Sequence, residues 1–159
     1  MTENGKHVSD SCVTLSRLMG PQDANGHGNV HGGVIMKMAD EAAALAAMRH
    51  SSQNVVTVAI DSMTFVQPIR LGMFVQWNAE LTYVGRTSME VRVEVTAEHP
   101  FDGQSDITNT AFLVFVAIDP DGKPTPVSPL ILETEEQHTR AEHAKERQEF
   151  RKNQRAKEV

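Results

Sequence analysis

The sequence predicts an α+β domain in which one long antiparallel sheet curls around a single central helix, followed by a charged helical tail. Three observations predict it. Residues 34–49, V-I-M-K-M-A-D-E-A-A-A-L-A-A-M-R, hold strong helix formers, no breaker, and apolar side chains on nearly every side. Residues 73–84 and 89–98 alternate apolar and polar side chains with a period of two. Residues 107–119, I-T-N-T-A-F-L-V-F-V-A-I-D, are apolar on both faces and belong at the centre of a sheet. A flat sheet cannot cover a helix that is buried on most sides, so the sheet must wrap it.

In chain order, residues 1–10 are polar and expected to be flexible. Residues 12–19 read as a first strand, with Cys12 a small core hydrophobe at its start. Residues 20–33 carry five glycines and no apolar period, so they form a loop. Lys37 and Glu41 stand four apart in the helix and pair at a surface strip. Residues 54–61 make a buried strand, and 63–70 continue extended, with Pro68 demanding an edge, a bulge or an end. Met73, Val75, Trp77, Ala79, Leu81 and Tyr83 share one face of the next strand. Met89, Val91, Val93, Val95 and Ala97 share one face of its neighbour, with Glu90, Arg92 and Glu94 on the other. Gly85 lies in the turn between them, which makes a long hairpin. D-P-D-G-K at 119–123 is a turn. The expected organisation is thus a flexible 1–10, a domain over 11–130, and a solvated helical tail over 131–159 without a coiled-coil seam.

Lys plus Arg is 15 and Asp plus Glu 21 in 159 residues, a formal net charge of −6. Residues 1–132 hold 8 basic and 14 acidic side chains, whereas 133–159 hold 7 of each. So acidic a body excludes a broad basic groove for nucleic acid, and an anionic ligand must find a few local cations there. One cysteine allows no intrachain disulfide and no thiolate zinc cluster. Neither a signal peptide nor a bilayer-spanning run is present, which points to a soluble cytoplasmic protein with no membrane partner.

The chemistry concentrates in 28–41, G-N-V-H-G-G-V-I-M-K-M-A-D-E. Gly32 and Gly33 stand where the loop becomes the helix. The first helical amides lack internal partners and carry partial positive charge, so a ligand carbonyl approaching there meets an oxyanion hole. A glycine-rich helix start needed only for tight packing explains the same residues. Asp40 lies two turns on, ~10 Å along the axis, among Met36, Ala39, Ala43 and Ala44. It reads either as an exposed aspartate beside Lys37 or as a general base or nucleophile in a cleft; the spacing of Glu41 to Lys37 assigns Glu41 to the surface. Asn29 serves as a turn or cap residue, or orients water or a carbonyl. His27 and His31, four apart in a glycine loop with no third ligand, do not make a metal site. G-x-G-x-x-H at 26–31 fails as a dinucleotide fingerprint, because His31 replaces the last glycine and no further strand–helix units follow.

Together, G-N-V-H-G-G-x-I-M-K-x-x-D-E-A, V-T-V-A-I-D-S-M-T-F and Y-V-G-R-T-S-M-E-V resemble the hotdog-fold acyl-CoA thioesterases of the cytosolic acyl-CoA hydrolase type, including their short bacterial branch. The likeness covers roughly 12–130 and departs at Ala39, where a larger apolar residue is more usual. It implies hydrolysis of fatty acyl-CoA to free acid and coenzyme A. Asp40 would act as general base or nucleophile, Asn29 would position water or carbonyl, and Gly33, Gly32 and His31 would supply oxyanion donors. The hairpin residues Gly85, Arg86, Thr87 and Ser88 would lie against coenzyme A, where a guanidinium suits phosphate. Val56, Met63 and Phe65 would line the acyl channel. The site would lie between two protomers of a homodimer, with hexamers as trimers of dimers. No metal or bound cofactor is implied; coenzyme A is part of substrate and product. The alternatives are a hotdog enoyl-CoA hydratase or dehydratase, and a non-catalytic acyl-CoA-binding protein.

Overall fold

A computed structural model of the chain describes residues 4–158. Its elements are β1 (Lys6–His7), α1 (Val8–Ser11), β2 (Val13–Leu18), a 3-10 turn (Pro21–Asp23), α2 (Gly32–Ser51), β3 (Asn54–Ile60), β4 (Thr64–Phe65), β5 (Phe74–Val84), β6 (Ser88–Glu98), β7 (Ser105–Ile118), β8 (Leu130–Ile131) and α3 (Glu135–Lys157). The main sheet has the order β2-β5-β6-β7-β3, antiparallel throughout, with β4 also paired to β7. It curls around α2, and this is the hotdog arrangement.

The alanines make the wrapping close. Ala39, Ala42, Ala43, Ala46 and Ala47 are buried against the sheet, and their small side chains let the helix backbone approach it. Trp77 of β5 is fully buried, and its indole N–H donates to the Ile35 carbonyl at 3.1 Å. The predicted inward faces of β5 and β6 are the core: Val75, Trp77, Ala79, Leu81, Met89, Val91, Val93, Val95 and Ala97. The strand predicted to be central, β7, lies between β6 and β3.

The structure corrects several expectations. Residues 54–61 are not buried: β3 is an edge strand, and Val56, Val58 and Ile60 are each over 40% exposed. Met36 and Leu45, on opposite flanks of α2, are also open, so the helix is covered on one face only. Cys12 is exposed rather than in the core. Residues 6–11 are tied down, whereas residues 1–3 of the expected flexible segment lie outside the described ones. β1 pairs in parallel with β8, and Lys6 Nζ donates to the Arg49 carbonyl and Ser52 Oγ at the end of α2. Finally, α3 is docked on the outer face of the sheet. Ala141 and Ala144 are buried, and Arg140, Arg147 and Arg151 grip Glu80, Glu90 and Asp61. Glu90, placed by alternation on a polar face, is buried beside a bulge in β5 between Leu81 and Tyr83.

His50 shows how burial couples this fold to pH. Its ring is fully buried, and Nε2 meets the Ser128 carbonyl at 2.8 Å, so Nε2 carries the proton of a neutral ring. Burial pushes its pKa below the ordinary histidine value, more than the Ser128 carbonyl opposes this. A histidine held neutral stabilises the fold above its unfolded pKa and loses that contribution as pH falls toward the folded one. Stability is therefore expected to decline with pH below about 6.5, and His50→Gln should flatten that slope in urea unfolding series.

Candidate active site

The loop before α2 is built around a buried carboxylate. Asp23 accepts from the Arg17 guanidinium and from the Gly20 amide at 2.9 Å, and these two bonds, the Arg17 one first, hold its carboxyl below the usual range. The Asp23 carbonyl accepts the His31 amide at 2.7 Å. Asn25 Oδ1 accepts the His27 and Asn29 amides at 2.9 and 3.2 Å, and the Asn25 amide donates to the Asn29 carbonyl at 2.7 Å. Gly28 sits at φ +79°, the left-handed turn that this short tongue requires. Asn29 also bridges to Arg70.

His31 caps α2: its Nδ1 accepts the Gly33 amide at 2.9 Å. Of the two predicted glycine donors, Gly33 is therefore occupied, while the Gly32 amide meets no acceptor among the described residues. A Cβ on Gly32 would lie 3.4 Å from Cζ of Phe65, so the tip of the aromatic ring lies against the helix start. Asn25, Asn29, Gly32, Ile35, Phe65 and Pro68 line one cavity of about 350 Å³.

Asp40 does not open into that cavity. It is half-buried, eight residues and ~12 Å further along α2. Its carboxylate accepts Thr57 Oγ1 of β3 at 2.8 Å and has no cation within 4 Å among the described residues. Lys37 pairs with Glu41 at 3.9 Å instead. Asp40 thus stands as an unneutralised carboxylate beside the open edge of the sheet. Val56 is exposed on that edge, and Met63 packs against the core.

The hairpin turn forms a third piece. The Gly85 amide donates to the Ser88 carbonyl at 2.8 Å, and the Arg86 and Thr87 carbonyls accept the Val127 and Ala117 amides at 3.0 Å. The Arg86 side chain is exposed and forms no ion pair among the described residues. It lies about 30 Å along β5 from the end that meets the Asn29 loop. One chain thus joins Asn29, Gly32 and Phe65 but leaves Asp40 and the hairpin apart from them. Thr57 and Asn25 belong to the constellation as well. In the sequence Thr57 was one more residue of an apolar strand, and Asn25 was one more polar residue of the glycine-rich loop.

A curled sheet around one helix, a glycine helix start and a carboxylate eight residues on define a thioesterase-type hotdog site. Residues 27–100 match the family model of the thioesterase superfamily. The chain belongs to that superfamily's acyl-CoA thioester hydrolase family. It is 37% identical over 152 residues to YkhA of Bacillus subtilis, an uncharacterized acyl-CoA thioester hydrolase, covering 96% of this chain and 88% of that protein. It is 39% identical over 142 residues, 88% of this chain, to the cytosolic acyl coenzyme A thioester hydrolase of Rattus norvegicus, but spans only 37% of that protein's length. The acyl-CoA hydrolase from Staphylococcus aureus, solved with butyryl coenzyme A and coenzyme A, superposes with a TM-score of 0.89 at 36% identity, over 96% of this chain and 93% of that one. That hydrolase has also been solved with alanine replacing an aspartate, an asparagine fifteen positions before it, and a threonine seventeen positions after it. A hexameric acyl-CoA thioesterase without ligand is 38% identical over 96% of this chain and 97% of its own, with a TM-score of 0.91.

Proposed function

We propose that this protein hydrolyses the thioester of acyl-CoA to a free carboxylic acid and coenzyme A, with Asp40 as the base that activates water. The observation that carries the reading is the Asp40 carboxylate, held by Thr57 and unneutralised, in a helix whose first free amide belongs to Gly32. Water deprotonated by Asp40 attacks the thioester carbon. The carbonyl oxygen gains charge, stabilised by the Gly32 amide and the α2 dipole. The C–S bond then breaks, and the thiolate leaves as coenzyme A. Direct attack by Asp40 would instead form a mixed anhydride as the C–S bond breaks, and water opening it at the Asp40 carbon would leave solvent oxygen in the enzyme's carboxylate, which single-turnover labelling with heavy-oxygen water detects.

The spacing of the substituted residues in the Staphylococcus hydrolase is that of Asn25, Asp40 and Thr57 here. This supports Asn25, in the same cavity as Asn29, as the asparagine that orients water or carbonyl, with Asn29 bracing its loop. His31 then serves as the cap that fixes the helix start.

The active unit is a homodimer. β3 is an edge strand carrying exposed Val56, Val58 and Ile60, and an apolar edge of this kind is completed by a second copy. Antiparallel pairing of two such edges sets Asp40 and Thr57 of one protomer against the Asn25 loop of the other. The hexameric relative supports three such dimers in the assembly. Val56, Met63 and Phe65 line the acyl channel, and Gly85, Arg86, Thr87 and Ser88 hold the coenzyme A end. Residues 11–130 form the catalytic domain, and it works in the cytoplasm without a bound cofactor; no described helix is long and apolar enough to cross a membrane.

Because Arg86 is a free cation on an acidic body, Arg86→Ala is expected to raise KM about fivefold to tenfold with kcat within twofold. An unchanged KM at low salt removes Arg86 from the site. The reaction class is tested by following thiol release from saturated acyl-CoA and absorbance loss from enoyl-CoA side by side. Thiol release alone supports a thioesterase; absorbance loss without thiol supports a hydratase.

A further inference from the structure

We propose that α3 is a positioning strap for the acyl pocket, with Arg151 setting the place of residues 62–65 by gripping Asp61. This rests on the thioesterase reading above. One stretch of chain thus borders two neighbouring sites of the dimer: Thr57 holds Asp40, and eight residues later Phe65 lies against Gly32. Asp61 is the joint between them, immediately after β3.

Little else holds that joint. β4 is only two residues long, Phe65 and Val66 are exposed, and only Met63 packs against the core, so packing holds the segment at one point. Its polar ties are the short antiparallel pairing of Thr64 and Phe65 with Thr110 and Asn109 of β7, the Asp61 amide to the Phe112 carbonyl at 2.8 Å, Asn109 Nδ2 to the Thr64 carbonyl at 2.9 Å, and the Val66 amide to the Thr108 carbonyl at 3.0 Å. The remaining tie is the Arg151 guanidinium on the Asp61 carboxylate. Their side chains are only 18% and 16% exposed, so water screens this pair less than a surface one. Arg147, one turn earlier, stacks its guanidinium 3.7 Å from the centre of the Phe112 ring. The helix thus holds the residue whose carbonyl anchors Asp61 and also Asp61 itself.

The fold does not need Arg151 to keep α3 in place. Arg140 on Glu80 and Arg147 on Glu90 fasten the helix to β5 and β6. Loss of Arg151 alone frees the joint and lets Met63 and Phe65 shift, while Asp40 and Gly32 stay where α2 puts them. A displaced channel wall acts only on acyl chains long enough to touch it.

The test compares full-length wild type with Arg151→Ala and Arg151→Lys, using butyryl-CoA and dodecanoyl-CoA as substrates. Arg151→Ala is expected to lower kcat/KM for dodecanoyl-CoA about tenfold and for butyryl-CoA less than twofold, with Arg151→Lys recovering most of the loss. Hydrogen exchange read alongside should show the Val66 amide losing protection while the β6–β7 amides keep theirs. An equal loss on both substrates overturns the proposal, as does unchanged exchange at Val66. If wild type releases no thiol from any acyl-CoA, the thioesterase reading fails, and the exchange comparison decides the strap by itself.

Discussion

Asp40→Asn is expected to lower kcat/KM for acyl-CoA hydrolysis by about a thousandfold, ~4 kcal/mol of barrier, with the melting temperature within a few degrees of wild type. Asparagine keeps the size of the side chain and its acceptor for Thr57 Oγ1, now at 2.8 Å, so the local packing survives. It loses the one property that the reaction uses, a charged oxygen able to take a proton from water. The carboxylate has no cation to satisfy, so its removal leaves no orphaned charge behind. A drop in kcat with KM nearly unchanged is the expected pattern, because the lost interaction exists only in the transition state. Turnover within tenfold of wild type would remove Asp40 from the chemistry.

The largest stability effect is expected at Glu90. Its carboxylate is 2% exposed and is met by Arg147 Nε and Nη2 at 3.0 and 2.8 Å and by Thr82 Oγ1 at 2.7 Å. Arg147→Ala leaves that buried charge with the threonine alone. The cost is about 3 kcal/mol, because the desolvation of Glu90 is no longer offset. In a chain of this size that lowers the melting temperature by roughly 6–12 °C. The double replacement Glu90→Leu with Arg147→Met should recover most of the loss, since matched apolar groups need no partner. A single variant as stable as wild type would show that the pair contributes nothing to holding α3 on the sheet.

Much of this molecule was legible because its local patterns and its tertiary structure agree. The alternation from Met73 to Leu81 and from Met89 to Ala97 put the right faces inward, until the bulge after Leu81 turns Tyr83 out of the core, and the alanine-rich face of the helix meets the sheet. Reading failed where a feature depends on what lies across space. Val56 and Val58 look like core because they are apolar, yet their strand lies at an edge that one chain cannot cover. Glu90 looks like a solvated residue, but a bulge and an arginine 57 positions away make it a buried anchor. The seven tail acids balance the seven tail bases in sequence, and this hid that Arg140, Arg147 and Arg151 each pair with an acid of the body. The net charge of −6 is thus already partly answered within the fold, which leaves Arg86 among the few cations open to a phosphate. Asp40 and the glycine helix start stood out because a carboxylate is costly among apolar side chains. Thr57 did not, since a threonine in a strand needs no explanation until its hydroxyl is seen on Asp40. Asn25 was passed over for Asn29 because both sit in one polar loop, and only the hydrogen bonds between them separate their roles.

The account centres on a hydrolytic site completed across two copies of the chain. It is tested most directly by mixing Asn25→Ala protein with Asp40→Asn protein, each nearly inactive alone, under conditions in which subunit exchange is verified by mass spectrometry. In a mixed dimer one site carries both changes and the other carries neither, so thiol release is predicted to recover to about a quarter of the wild-type rate. Exchange without any recovery would contradict the shared site and place Asn25 and Asp40 in one protomer or outside the reaction.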